Sequence, residues 1–179
     1  MLIISSARNT VRRITRLAAE ICIILSLIYL ESILPFNLLL PFPGFKLGLS
    51  NIVIMLSFYI FSMKESVVLL LSRVLIMFLL FGNPTSALLS FCGSMFMFIG
   101  LILGRYIFDN YLSFWGISII CATLHNVGQI FGACILLNIA ALSYLPIMIV
   151  ASLIFGSITG LFMNAFYPKI KKICMNARD

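Results

Sequence analysis

Long apolar runs parted by short polar breaks constrain this chain more than any other feature. A helix crosses a hydrocarbon core of about 30 Å with roughly 20 apolar residues at about 1.5 Å each. On that measure the sequence divides into six spans: Leu17–Leu34, Leu47–Met63, Ser66–Phe81, Thr85–Leu103, Phe114–Leu137 and Tyr144–Tyr167. With 63% hydrophobic and 9% charged residues, a soluble domain of this size could not hide its apolar surface from water. The expectation is an all-α integral membrane protein, one membrane domain over residues 1–179, multi-pass in the cell membrane. The second and third spans are short, which implies little tilt or a thinned bilayer. The breaks suit their task. Pro35, Pro41, Pro43 and Gly44 interrupt the first loop, "MKES" makes a charged turn, and "GNPTS" offers Thr85 or Ser86 as a helix cap. "GRYIFDNYLS" carries Arg105 and Asp109, and "NIAALS" is the weakest break.

Charge sets the expected topology. The net charge of +7 would suggest nucleic acid in a soluble chain, but here the basic residues cluster at the ends. Arg8, Arg12, Arg13 and Arg16 stand at one end, and Lys169, Lys171, Lys172 and Arg178 at the other. Cytoplasmic segments are rich in Lys and Arg, so both ends are expected in the cytoplasm, as an even number of spans requires. The long basic start, with no small-residue cleavage site after the first apolar run, reads as a retained span rather than a signal peptide. Lys64 and Arg105 then also fall inside. Lys46, in "PFPGFKLGLSN", is the exception and falls outside.

Polar residues inside the spans point to a site. Arg73 lies about 10 Å from the Ser66 end of the third span, too deep to snorkel easily. A charge at that depth costs roughly 3 kcal/mol or more unless a cavity or partner receives it. Glu31 lies in the outer part of the first span, and Asn51 is one turn into the second. His125 and Gln129 are four apart on one helix face, with Asn126 beside them. In this topology Glu31, Lys46, Asn51 and Gln129 share the outer half, with Arg73 and His125 near mid-depth. Together they could line an outward-facing pocket for a molecule with an anionic or strongly polar head and an apolar remainder. Structural readings stand beside this one. Arg73 and Glu31 could form an ion pair that fixes packing, and His125 could bond a neighbouring helix. Asn51 could cap its helix, and Lys46 could be an interfacial anchor.

Other chemistry is sparse. A lone histidine does not make a metal site. Cys22, Cys92, Cys121, Cys134 and Cys174 form no CxxC pair and read as small apolar fillers. There is no Walker motif, no carboxylate pair and no Ser-His-Asp set, so no autonomous enzyme and no cofactor is expected. A magnesium-dependent prenyl transferase needs aspartate-rich motifs, whereas the chain has only Asp109 and Asp179. Glycine pairs Gly100/Gly104, Gly128/Gly132 and Gly156/Gly160 predict closely packed helices. A small-residue stripe, Ala18, Cys22 and Ser26, could be an intramolecular seam or a docking face for another membrane subunit.

The segments "LESILP", "PGFKLGLSNIV", "SRVLIMFLLFG", "HNVGQI" and "YLP", in this order, resemble the Gx transporter family. Its members are also described as heptaprenyl diphosphate synthase component I. The resemblance covers roughly residues 15–165. That family in turn is similar to the substrate-binding S components of energy-coupling factor (ECF) transporters. The resemblance implies a six-helix protein with both ends cytoplasmic, which binds a micronutrient from outside with a coupling subunit and two ATPases as partners. "KLGLSNI" is similar to the KLDFSD-type segment of riboflavin-binding S components, but Gly48 and Asn51 replace its acidic residues, so a flavin is not implied. The expected function is substrate capture for an ECF-type importer of a vitamin-like or isoprenoid-related molecule, with membrane lipid around it and no nucleic acid. Lys46 would close the first loop over the ligand. The alternative is a noncatalytic membrane subunit in heptaprenyl diphosphate or quinone synthesis.

Overall fold

The computed structural model describes residues 2–33, 48–107 and 112–176. The described residues form six α-helices and no strand: α1 (Leu2–Ile33), α2 (Asn51–Ile60), α3 (Met63–Phe81), α4 (Pro84–Tyr106), α5 (Phe114–Leu136) and α6 (Leu145–Asn176). Each apolar run of the sequence thus has its helix. Three helical stretches, Pro84–Tyr106, Phe114–Leu136 and Ile139–Cys174, are long and apolar enough to cross a membrane. Helix α3 is diluted by Lys64, Glu65 and Arg73, and α1 by its arginines and glutamates.

Several boundaries differ from the sequence reading, each for a local reason. The second span was expected over Leu47–Met63, but α2 has 10 residues and reaches only about 15 Å. Gly48, at φ 78°, and the turn bonds from Asn51 N to Gly48 O and Ile52 N to Leu49 O delay its start. The "MKES" turn is instead the first turn of α3. Ser62 accepts from Glu65 N, one half of a capping box. Asn83, rather than Thr85 or Ser86, caps α4 by accepting from Ser86 N, with Pro84 in the first turn where a missing N–H costs nothing. The weak break before α6 is a 3-10 turn, Ile139–Tyr144, capped by Asn138. Helix α6 then runs on past Tyr167 and through Pro168.

Close packing follows the glycines. Gly128 lies against the Cys92 carbonyl and Phe96, and Gly100 against Leu124, which closes α4 on α5. Gly156 meets Ile119 and Gly160 meets Trp115, which closes α5 on α6. These are the helix seams expected from the three glycine pairs. Short α2 sits among α1, α3, α4 and α6, whereas α1, among the described residues, packs on α2 and α3 alone. The main core gathers Ile28, Ile54, Phe58, Leu69, Met97 and Leu101 around α2.

Candidate functional site

The site is built where the start of α2 meets α3, α4 and α5. The turn Gly48–Ser50 delivers two groups to it. The Leu49 amide donates to the Glu31 carboxylate of α1, and the Asn51 side-chain carbonyl accepts from Arg73 Nη1. Asn51 is therefore not the cap of α2: that position is held by Ser50, whose side chain makes no capping bond. Arg73 is fully buried in α3. Its Nη1 also donates to Ser94 Oγ on α4 at 3.3 Å. Glu31 acts on Arg73 electrostatically as well, so the two charges of the sequence-based ion pair do belong to one neighbourhood.

Helix α5 supplies the facing wall. His125 and Gln129 are buried, and their Nε2 atoms are 3.1 Å apart, as their spacing of four predicts. Gly93 of α4 admits them. A Cβ there would stand 2.8 Å from His125 Cε1 and 2.9 Å from Gln129 Cγ. Asn126 points elsewhere, and its Nδ2 donates to the Met148 carbonyl, pinning α5 to the start of α6. A cavity of about 20 Å³, the size for one water, touches Gly48, Asn51, Met97 and Cys121.

Thus Glu31, Asn51, Arg73, His125 and Gln129 are brought together, and Asn126 is turned aside. Lys46 lies outside the described residues. Ala18, Cys22 and Ser26 are exposed, so no described helix packs over the stripe. The five cysteines are free thiols, and among the described residues no group of three His, Cys, Asp or Glu could hold a metal. Four contributors were missed: Gly48, the Leu49 amide, Gly93 and Ser94. Gly93 had a signal, since it lies one heptad before Gly100 on the glycine face of α4.

Among the groups described, Arg73 Nε and Nη2, Ser90 Oγ and Gln129 Oε1 are buried without a hydrogen-bond partner. Burying such groups unpaired costs about 1–3 kcal/mol each, more for a charged group. The site is therefore a pre-assembled set of unspent donors and acceptors.

Gly48 should be intolerant of a side chain. Alanine there faces a left-handed backbone and would place Cβ 2.5 Å from Asn51 Nδ2. Gly48→Ala is expected to cost about 1–2 kcal/mol in backbone conformation alone and to dislodge Asn51 from Arg73. Thermal unfolding in detergent measures the loss, and an unchanged midpoint would refute it.

No curated protein and no solved structure matches the chain. A family model, described as heptaprenyl diphosphate synthase component I, matches residues 19–166. With that match over most of its length, the chain belongs to the heptaprenyl diphosphate synthase component I family.

Proposed function

We propose that this protein is a noncatalytic substrate-capture subunit of an ECF-type importer, which binds a small molecule by a carboxylate, phosphate or similarly polar head. One observation carries the reading. Arg73 is fully buried, anchored through Nη1, and keeps Nε and Nη2 without partners among the described residues. Those two donors form one edge of the guanidinium, the edge that receives two acceptors side by side. Asn51, His125 and Gln129 surround the head and orient it, while Asn126 holds α5 in place. Admission of anything larger than water requires the Glu31–Leu49 bond to open, so α1 and the α2 turn move apart on binding. The exposed Ala18, Cys22 and Ser26 face offers a coupling subunit a close approach. In this reading the arginine-rich end of α1 and the lysine-rich end of α6 are cytoplasmic.

The test is mass spectrometry of small molecules extracted from gently purified protein, beside Arg73→Lys. Lysine keeps the charge but loses the two-pronged edge. Losing one charge-assisted hydrogen bond of about 1.5–3 kcal/mol should lower ligand retention about tenfold to a hundredfold. Equal retention in a folded Arg73→Lys protein sinks the proposed role.

A second reading, a noncatalytic membrane subunit of isoprenoid diphosphate synthesis, is favoured by the family description. Copurification separates the two. A membrane coupling subunit with ATPases supports capture, and a soluble prenyl transferase supports the second reading.

A further inference from the structure

Helices α1 and α6 both pack on α2, and among the described residues their backbones do not approach each other closely. The gap between them is a groove of about 690 Å³ with α2 as its floor. Its walls are carbon for most of their length: Leu27 and Leu30 from α1, Val53 and Leu56 from α2, Phe162 and Phe166 from α6. From Arg16 to Leu30 it extends about 21 Å, more than one leaflet of a bilayer whose core is about 30 Å. Helix α2 is too short and too recessed to fill it.

The two ends of the groove differ. Near Leu30 and Leu49 it is apolar. At the other end Arg16 and Glu20 line it, and Arg16 is already bound to Glu65 and stacked 3.6 Å over the Phe61 ring. Arg12, one turn before Arg16, extends the α1 wall, and Lys169 stands beside the α6 wall next to Ile170, which lines it. Both are exposed, as are Lys171 and Lys172 nearby. The acidic groups at this end, Glu20 and Glu65, are engaged by Arg13 and Arg16, with Arg13 Nε 2.7 Å from Glu65. The rim of the groove is therefore cationic in excess.

We propose that this groove is a specific site for an anionic membrane lipid, with an acyl chain along α2 and its phosphate between Arg12 and Lys169. The long apolar trough accepts the chain, and the cations select the head. Such a site would lie apart from the Arg73 cluster, on the opposite side of α2 from α4, and the lipid would bridge α1 and α6 over α2.

The experiment uses the full chain in nanodiscs that contain diazirine-bearing phosphatidylglycerol or, at the same mole fraction, diazirine-bearing phosphatidylcholine. Adducts are mapped by peptide mass spectrometry. The glycerol probe should label peptides bearing Leu56, Phe162 and Phe166 in preference to the exposed α4 face of Phe91, Met95 and Ile99. The choline probe should label both faces alike. Each of the exposed-rim changes Arg12→Gln and Lys169→Gln should reduce that preference about fivefold, since a cation near an anionic surface contributes about 1 kcal/mol. Leu56→Trp, which fills the floor, should abolish groove labelling in protein that remains folded. Equal labelling of the groove by both probes overturns the proposal. So does groove labelling no richer than that of the α4 face, or a groove silent to both probes and cross-linked to a second copy.

Discussion

Arg73→Ala lowers stability by about 3–5 kcal/mol, the penalty for removing one partner from a buried charged network. The change strands Asn51 and Ser94, both of which accept from Arg73, and removes the cation that acts electrostatically on the buried Glu31 carboxylate. Glu31→Gln added to Arg73→Ala should recover part of the loss, because the amide removes the buried charge that Arg73 balanced while still accepting from the Leu49 amide. Thermal unfolding of the two single variants and the double variant, followed by the fluorescence of Trp115, gives the coupling between the sites. Ligand retention should behave differently. If Arg73 holds the head of a substrate, the double variant regains stability without regaining ligand. If Arg73 only fixes helix packing, stability and any retained ligand return together. A double variant no more stable than Arg73→Ala would remove Glu31 from the network altogether.

The fold was legible wherever the signal was one-dimensional. Six apolar runs gave six helices, and glycine pairs four apart named the α4–α5 and α5–α6 seams, because both are patterns along a single helix. Depth along a helix is also one-dimensional, which is why Arg73, Asn51, His125, Gln129 and Glu31 could be expected at one site. What escaped was set by contacts between distant segments or by backbone conformation. Asn126 adjoins His125 in sequence, yet its orientation depends on a carbonyl 22 residues away in α6. The Arg13, Arg16 and Glu65 cluster joins α1 to α3 across 49 positions, and nothing in "MKES" announces it. The left-handed turn at Gly48 shortens α2 by interrupting an apolar pattern that itself continues unbroken.

Gly128→Leu should damage the fold more than any other exchange at a seam glycine of α4 or α5. A Cβ at this position would fall 2.7 Å from the Cys92 carbonyl oxygen and 3.0 Å from Gly93 Cα, both of them backbone atoms that cannot rotate away. Gly100 is the instructive contrast. Its nearest obstacle, at 2.8 Å, is the Cδ1 tip of Leu124, which can change rotamer. Overpacking a close seam costs about 1–3 kcal/mol and sometimes more. For a chain of this length, a loss of about 3 kcal/mol shifts the melting midpoint by roughly 6–12 °C. Gly100→Leu should lie near the lower end of that energy range. Gly82→Ala, a control in open space at φ 58°, should cost only the left-handed backbone term of about 1–2 kcal/mol. The functional consequence follows from Gly93. Gly128 presses on Gly93 from α5, and Gly93 is the residue that admits His125 and Gln129 to the site. Separating α4 from α5 at Gly128 therefore also draws those side chains from Arg73, so ligand retention should fall together with the melting midpoint. Gly82→Ala should leave retention intact. If Gly128→Leu melts no lower than Gly100→Leu, backbone contact is not what sets the α4–α5 distance.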